Sequence, residues 1–150
     1  MGDLRAKCMG RSRGGLTTKI HALCDAKGWP IKLRLSEGQA NDGKSGDPML
    51  DDLGKGQVLL ADSAYDSDAR RQMLKNQGAK ACIKPMPNRI NIPPFDKKLY
   101  SCRNVVERFF NKIKHFRAIA TRYEKYDQNF LALVKLASIK ICLRVYESVS

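Results

Sequence analysis

The sequence has no long apolar run and no close pair of cysteines, and these absences exclude several classes of protein. No apolar stretch approaches the roughly 20 residues that a membrane-spanning helix needs, and the N-terminus lacks an apolar signal-peptide region. The five cysteines are scattered, without a Cys-x2-Cys pair, which argues against a zinc site or a disulfide framework. The sequence therefore predicts a cytoplasmic protein with reduced, mostly buried thiols and no membrane attachment.

Acidic residues are scarce relative to basic ones. The 150 residues include 28 Lys and Arg against 15 Asp and Glu, which gives a net charge of +13. Such an excess favours a polyanionic partner, although many basic proteins bind nothing acidic. Hydrophobic residues make up 43% of the chain and recur periodically, as in a folded domain. Because no linker-like stretch divides the sequence, we expect one domain over residues 1–150.

Apolar periodicity predicts an α/β layer fold. On the second strand of a hairpin, Ile31, Leu33 and Leu35 alternate with polar residues and are expected to face inward. In the last helix the inward-facing residues are expected to be Leu131, Val134, Leu136, Ile139 and Leu143. The predicted elements are a basic arm (1–16), strands at about 17–25 and 31–36, a polar loop (38–47), a short helix (48–53), a buried strand (57–61), a helix (67–77), a strand (80–84), a proline-rich loop (85–94) and helices at about 97–116 and 127–146.

Residues 100–114 combine an apolar face with a row of polar groups. The polar residues are Tyr100, Arg103, Glu107 and Lys114. If the stretch is helical, all four fall within about 60° of one another, because a helix turns once every 3.6 residues. A carboxylate so placed can hold a divalent cation, while the Arg and Lys beside it can grip phosphate oxygens. The pattern is typical of an enzyme that acts on a phosphodiester.

A second acid, Asp62, directly follows the buried strand predicted at 57–61. Open α/β sheets place their ligands at this end of their strands. A carboxylate there, opposite Glu107 on a packed helix, is a candidate metal ligand, with Glu107 as the other. Two metals about 3.5–4 Å apart can activate the attacking group and stabilise the leaving oxygen of a phosphodiester. Mg²⁺ or Mn²⁺ is the expected metal, since the ligands are oxygens.

These residues carry a family resemblance. The four helix residues match, in identity and in spacing, the Tyr-x2-Arg-x3-Glu-x6-Lys signature of one group of bacterial insertion-sequence transposases of the DDE class. The segment Leu-Leu-Ala-Asp-Ser-Ala-Tyr-Asp around Asp62 resembles the strand that carries the second catalytic Asp of that group. Residues 10–21 resemble the segment that enters its second core strand. The chain thus resembles the C-terminal part of such a catalytic domain over nearly its whole length.

The resemblance implies an RNase H-like core, which is a mixed sheet with flanking helices. It also implies cleavage of DNA 3′ ends at the transposon ends and their joining to target DNA. Asp62 and Glu107 would ligate the metals. Arg103 and Lys114 would hold backbone phosphates, and Tyr100 would help to position the DNA. Arg11 and Arg13, with the cations at 32, 34, 89, 117 and 122, are candidates for a further phosphate-binding surface.

The sequence also departs from the family pattern. The first catalytic Asp of the family lies on the first core strand, upstream of residues 10–21, and the nine preceding residues do not read as a strand. Asp3, Asp25 and Asp42 do not match the position. We therefore expect a truncated domain that lacks the first core strand and is incompetent alone. A segment encoded upstream, for instance by a frameshift, would then complete the site. A homo-oligomer is the other expected assembly.

Simpler interpretations exist for each residue. Glu107 suits an ion pair with Arg103 one helical turn earlier, Asp62 suits a turn or cap, and Tyr100 suits the edge of a core. Arg103 and Lys114 suit exposed solubilising cations. At the level of the whole chain, the alternatives to a transposase are a non-catalytic DNA-binding or regulatory remnant and an RNase H-like nuclease that joins nothing.

Overall fold

The computed structural model describes residues 10–12 and 15–149, with side chains from Thr18 onward. Contacts divide the chain into unit 1, Met1–Gln39 with Val105–Ser150, and unit 2, Ala40–Asn104. Each unit combines strands with helices, so the predicted α/β class is confirmed. The elements are β1 (Gly10–Ser12), β2 (Gly15–Cys24), β3 (Pro30–Glu37), α1 (Asp42–Gly46), β4 (Val58–Ala61), α2 (Asp68–Asn76), β5 (Lys80–Ile83), α3 (Lys97–Tyr100), α4 (Asn104–Ile113), α5 (Arg117–Ala120) and α6 (Asp127–Val149).

The RNase H-like arrangement, the absence of a first core strand and the single domain stay predictions. Among the residues described, no helix is both long and apolar enough to cross a bilayer. The described cysteines at 24, 82, 102 and 142 are free thiols. Cys82 is buried and Cys102 is exposed, with the other two between these extremes.

Unit 1 contains an antiparallel sheet with the strand order β1-β2-β3. The turn between β2 and β3 uses Gly28 at a φ of +84°, and the Asp25 carboxylate accepts the backbone N–H groups of Lys27 and Trp29. The prediction of a loop at 1–16 is wrong where the structure describes it. Gly10 pairs with Thr17, because strand pairing uses backbone groups and does not need an apolar alternation.

The core of unit 1 lies between β3 and helices α4, α5 and α6. Its buried members are Leu35, Phe109, Ile113, Ile119, Phe130, Val134 and Ala137. The predicted inward position of Ile31 is wrong, since its side chain is 62% exposed. On α6, Val134 is buried as predicted, but Leu136, Ile139 and Leu143 lie on the exposed side. The helix carries apolar residues on both faces, so periodicity alone did not identify the buried one.

Unit 2 contains the parallel pair β4 and β5, with α2 between them in the chain. Leu59 and Ala61 of β4 are buried, as are Cys82 and Ile83 of β5, and Leu74 of α2 is fully buried. The Ser67 hydroxyl caps α2 by accepting the N–H of Arg70, and Gly78 follows the helix at a φ of +80°. These ends agree with the prediction of a helix from Ser67 to Gln77.

The segment before β4 differs from the prediction. The expected polar loop at 38–47 contains α1, which Asn41 caps by accepting the N–H of Lys44. The expected helix at 48–53 is instead a short 3-10 helix, Asp47–Met49. Pro48 fits the start of either helix type, because its missing N–H has no intrahelical partner there. The Asn41 cap was the signal that predicts α1.

The long helix predicted at 97–116 is three successive segments. They are α3, a 3-10 helix at Ser101–Arg103 and α4, and the division between the two units falls after Asn104. A 3-10 helix has about three residues per turn. The 3.6-residue period that predicted a common face for four side chains therefore does not continue through the stretch.

Candidate active site

Asp62 lies directly after β4, at the carboxyl end of the parallel pair in unit 2. Its Oδ1 accepts the N–H of Ala64 at 3.0 Å, and its backbone carbonyl accepts the N–H of Tyr65. Asp62 thereby caps the 3-10 helix Ser63–Tyr65. Its side chain remains 41% exposed. The capping role and the predicted chemical role are compatible, because one carboxylate has several acceptor sites.

Arg103 and Tyr100 lie beside Asp62 in the same unit. Nη1 of Arg103 is 3.8 Å from Oδ2 of Asp62. The Arg103 guanidinium also lies 5.5 Å from the centre of the Tyr100 ring, which packs edge-on against Phe95 with ring centres 5.0 Å apart. A partly exposed ion pair of this length is weak. The guanidinium can therefore leave the carboxylate for a phosphate oxygen at little cost.

Tyr65 packs behind Asp62. Burial, with a further contribution from the nearby carboxylates of Asp42 and Asp62, raises the pKa of its phenol to about 12. A Cβ added at Gly46 would lie 2.7 Å from Cε1 of Tyr65, so only glycine permits the close approach of α1 to this ring. The phenol therefore stays protonated at neutral pH.

Asp66 forms a buried ion cluster in the segment after Asp62. Its side chain is 1% exposed, and its Oδ1 lies 2.9 Å from Nη2 of Arg71. Its Oδ2 accepts the N–H of Met86 at 2.8 Å and lies 3.0 Å from Nε of Arg89, as an ion pair. Burial alone would raise the pKa of Asp66, but these donors and guanidiniums outweigh it and hold the pKa below its ordinary value.

Glu107 and Lys114 belong to unit 1. Glu107 is exposed in the first turn of α4, and Phe109 and Ile113 anchor that helix in the core. Lys114 follows the helix, with its N–H donated to the Phe110 carbonyl. Of the predicted site residues, Asp62, Arg103 and Tyr100 belong to unit 2 and lie close together there. Whether Glu107 and Lys114 join them stays a prediction.

The predicted basic surface is only partly described. The backbone of Arg11 pairs with Leu16 in the β1–β2 ladder, but its side chain and all of Arg13 lie outside the described residues. Two other candidates are bound within the protein. Arg89 contacts Asp66 and Asp68, and Arg122 contacts Asp127 at 2.8 Å. Carboxylates of the chain already engage these two side chains, and their contact with phosphates stays a prediction.

The donor chemistry of the site fits a hard divalent cation in part. Carboxylate oxygens are the ligands that Mg²⁺ and Mn²⁺ prefer, and Asp62 presents one partly exposed carboxylate. In the part of the chain that the structure describes, no three His, Cys, Asp or Glu side chains lie together as a metal-holding group. Asp62 therefore fits as one ligand of a site that needs further ligands.

Sequence reasoning missed the ion cluster around Asp66. From the sequence alone, Asp66 is a candidate helix cap and Arg89 is a candidate phosphate ligand. The two residues are 23 positions apart in the sequence, and no periodic pattern connects a helix entrance to a distant loop. The only signal in the sequence was composition. The proline-rich loop at 85–94 contains Arg89 but no acid, so an acidic partner for Arg89 has to come from another segment, such as the one with Asp66 and Asp68.

Known proteins resemble this chain over most of its length. A family model described as the transposase DDE domain matches residues 5–139. A putative transposase for insertion sequence element IS6501 of Brucella ovis is 41% identical over 131 residues, 86% of this chain and 100% of that protein. A putative transposase for insertion sequence element IS402 of Burkholderia cepacia is 29% identical, over 88% of this chain and 64% of that protein. No solved structure matches the chain.

Proposed function

Because the chain belongs to the transposase DDE domain family, we propose that it supplies part of the catalytic site of an insertion-sequence transposase. The reaction is metal-dependent cleavage of DNA 3′ ends at the ends of the element, followed by joining to target DNA in the bacterial cytoplasm. The supporting observation is Asp62, whose partly exposed carboxylate ends β4 beside the guanidinium of Arg103. The proposed framework is a single RNase H-like domain.

Asp62 and Glu107 are the proposed ligands of Mg²⁺ or Mn²⁺. The metal, when bound, supplies Lewis-acid stabilisation of the charged oxygens of the phosphodiester. Asp62 is held for this role by the Ala64 N–H, which fixes the orientation of its carboxylate. The resemblance also implies a third acidic ligand, and a separately encoded segment or a second copy of the chain is the proposed source.

Arg103, Tyr100 and Lys114 are the proposed DNA contacts near the metal. The Tyr100 ring supports the Arg103 guanidinium from the side, so Arg103 is positioned to exchange its weak pairing with Asp62 for a phosphate oxygen. Arg11 and Arg13 would contact phosphates farther from the reacting bond. All of these cations make binding dependent on salt, because each phosphate contact releases counterions.

The experiment is a nicking and strand-joining assay on labelled DNA that carries one end of the element. The chain is assayed with Mg²⁺, alone and together with the polypeptide encoded immediately upstream. We expect Asp62→Asn and Glu107→Gln each to reduce nicking by about 10³-fold or more, as expected when a group essential to the catalytic centre is lost. Asp51→Asn is the matched control, since Asp51 is an exposed acid of unit 2 outside the site.

Each outcome of the assay decides between the functions. Nicking and joining that both require Asp62 and Glu107 support the transposase. Nicking without joining would identify a nuclease instead. Salt-sensitive DNA binding with no nicking under either condition would contradict the catalytic proposal and leave a DNA-binding remnant. Equal activity with and without the upstream polypeptide would rule out a ligand supplied by that segment.

A further inference from the structure

The loop between β5 and α3, residues 84–96, has an exposed apolar tip on a firmly held base. Ile90 is 97% exposed and Ile92 is 74% exposed, although both are large apolar residues. The loop contains four prolines and no glycine, so few backbone conformations are open to it. Two isoleucines are thus presented to the surroundings on a stiff segment.

The loop begins next to Asp62, and the segment after the loop returns to Asp62. At the start, the Lys84 N–H donates to the carbonyl of Ala61, the residue before Asp62, at 3.0 Å. Beyond the other end, the chain returns through α3 to Arg103, whose guanidinium is 3.8 Å from the Asp62 carboxylate. The loop therefore starts beside the proposed catalytic acid, and the helical segment that follows it ends at the same acid.

The middle of the loop is tied down by the ion cluster. Arg89, directly before Ile90, is paired with the buried carboxylate of Asp66 and contacts Asp68. The Asp66 carboxylate also accepts the N–H of Met86, and the Arg89 N–H closes a turn onto the Met86 carbonyl. The base of the tip is therefore bound to Asp66, which lies four residues after Asp62 in the chain.

The C-terminal side of the tip is fixed as well. Phe95 packs edge-on against Tyr100, and the carbonyl of Asp96 accepts the thiol of Cys82 at 3.5 Å. Exposed lysines flank the tip, with Lys84 at the start of the loop and Lys97 and Lys98 directly after it. Anchored apolar side chains flanked by cations form the combination that proteins use to insert between base steps while holding the adjacent phosphates.

We propose that Ile90 and Ile92 form an apolar wedge that unstacks base pairs of a duplex DNA end bound at Asp62. The inference rests on the proposed function, because it takes DNA as the occupant of that site. The partner is DNA because the loop begins next to Asp62, its Phe95 packs against the proposed DNA contact Tyr100, and exposed lysines flank the tip. The wedge separates the terminal pairs and presents a strand to Asp62.

The test uses fluorescence and needs no catalysis. The probe is a blunt-ended duplex with a fluorescent adenine analogue near one end, which brightens when it loses stacking. The full chain in Ca²⁺ is compared with the double variant Ile90→Ser, Ile92→Ser. We expect brightening with the unaltered chain and none with the variant, together with about tenfold weaker binding of the closed duplex, the effect of losing part of one buried isoleucine.

A duplex with mismatched terminal pairs separates a wedge from a plain contact. Because this end is already open, the double variant should bind it within about twofold of the unaltered chain. The variant Ile90→Leu, Ile92→Leu keeps the apolar tip and should keep the brightening. Ile31→Ser, a change at a 62% exposed isoleucine of unit 1, is the matched control and should change nothing. Circular dichroism verifies that each variant is folded.

Several results would overturn the inference. They are brightening that survives the double serine variant, no brightening with the unaltered chain, and equal weakening on the closed and opened duplexes, which would indicate an ordinary contact surface. Tip-dependent brightening without nicking in Mg²⁺ would support the wedge and contradict the proposed catalytic function. Nicking without brightening would do the reverse.

Discussion

Unit 1 and unit 2 are held together by different interactions. In unit 1, β3 and the helices α4 to α6 share a cluster of buried apolar side chains, with Phe109 2% exposed and Val134 fully buried. In unit 2 the apolar core around Leu74 and Ile83 is accompanied by charged residues that replace part of the apolar packing. The buried Arg70 contacts Asp47. Unit 1 also contains an ion pair, between Arg122 and Asp127, but in unit 2 the buried carboxylate of Asp66 is paired with Arg89 of the long loop after β5.

The units also differ in charge. Unit 1 contains 17 Lys and Arg against 7 Asp and Glu, whereas unit 2 contains 11 against 8. Several cations of unit 2 are paired with its own acids, as in the cluster around Asp66. We therefore expect unit 1 to supply most of the non-specific attraction to DNA, while unit 2 supplies the placement of the reacting groups.

The largest expected effect is on the core of unit 1. Phe109→Ala removes a ring that is 2% exposed and should lower the free energy of unfolding by about 3–5 kcal/mol, because it leaves a cavity. Leu136→Ala, on the exposed side of α6, is the control and should cost less than about 1 kcal/mol. Urea unfolding followed by circular dichroism measures both. Similar losses for the two variants would contradict the assignment of the buried face.

The next effect is on the ion cluster of unit 2. Asp66→Ala leaves the guanidiniums of Arg71 and Arg89 without their buried partner and should cost about 3 kcal/mol. It should also release the loop, so that trypsin cuts the bond after Arg89 more rapidly. Asp68→Ala is the matched control, since that side chain is 88% exposed and a surface pair contributes at most about 1 kcal/mol.

A result in which both aspartate variants behave alike would contradict the buried cluster. It would mean that the loop is held by its prolines and ends alone. Intact resistance to trypsin in Asp66→Ala would also contradict the role of Asp66 as the anchor, even if the free energy of unfolding fell.

The smallest effect is a pH dependence confined to unit 2. The pKa of Asp66 in the folded protein lies below its ordinary value of 3.8. The ionised carboxylate therefore contributes stability that is complete above that value and is lost as the pH falls through the lower folded pKa. The free-energy difference between the unaltered chain and Asp66→Asn should shrink from about pH 5 to about pH 2. A difference that is constant over this range would contradict the assignment.

Local patterns predicted the secondary structure well where one face dominates. The alternation in β3, the cap at Ser67 and the glycine at 78 placed their elements within a few residues. The pattern failed in α6, where both faces are apolar, and in residues 97–116, where a 3-10 turn interrupts the helix. The apolar period does not show which face of a helix is buried, because tertiary packing decides that. Nor does it show where a short 3-10 segment interrupts a helix.

The candidate site was predictable to the extent that its parts are local motifs. Asp62 at a strand end and the spacing from Tyr100 to Arg103 are both readable from the chain, and the structure brings these three together in unit 2. The partner of Asp66 was not predictable, because an ion pair between distant residues leaves no local pattern. The exposure of Ile90 was also hidden, since an apolar residue in a loop is usually expected to pack.

The central proposal is that Asp62 and Glu107 are ligands of the same divalent metal. Fe²⁺ can replace Mg²⁺ at such a site, and with ascorbate and peroxide it generates radicals that cut the adjacent polypeptide backbone. In the presence of DNA, we expect cuts next to both residues 62 and 107. Asp62→Asn should abolish both sets of cuts. Cuts at only one of these positions, or cuts that Asp62→Asn does not change, would contradict the claim.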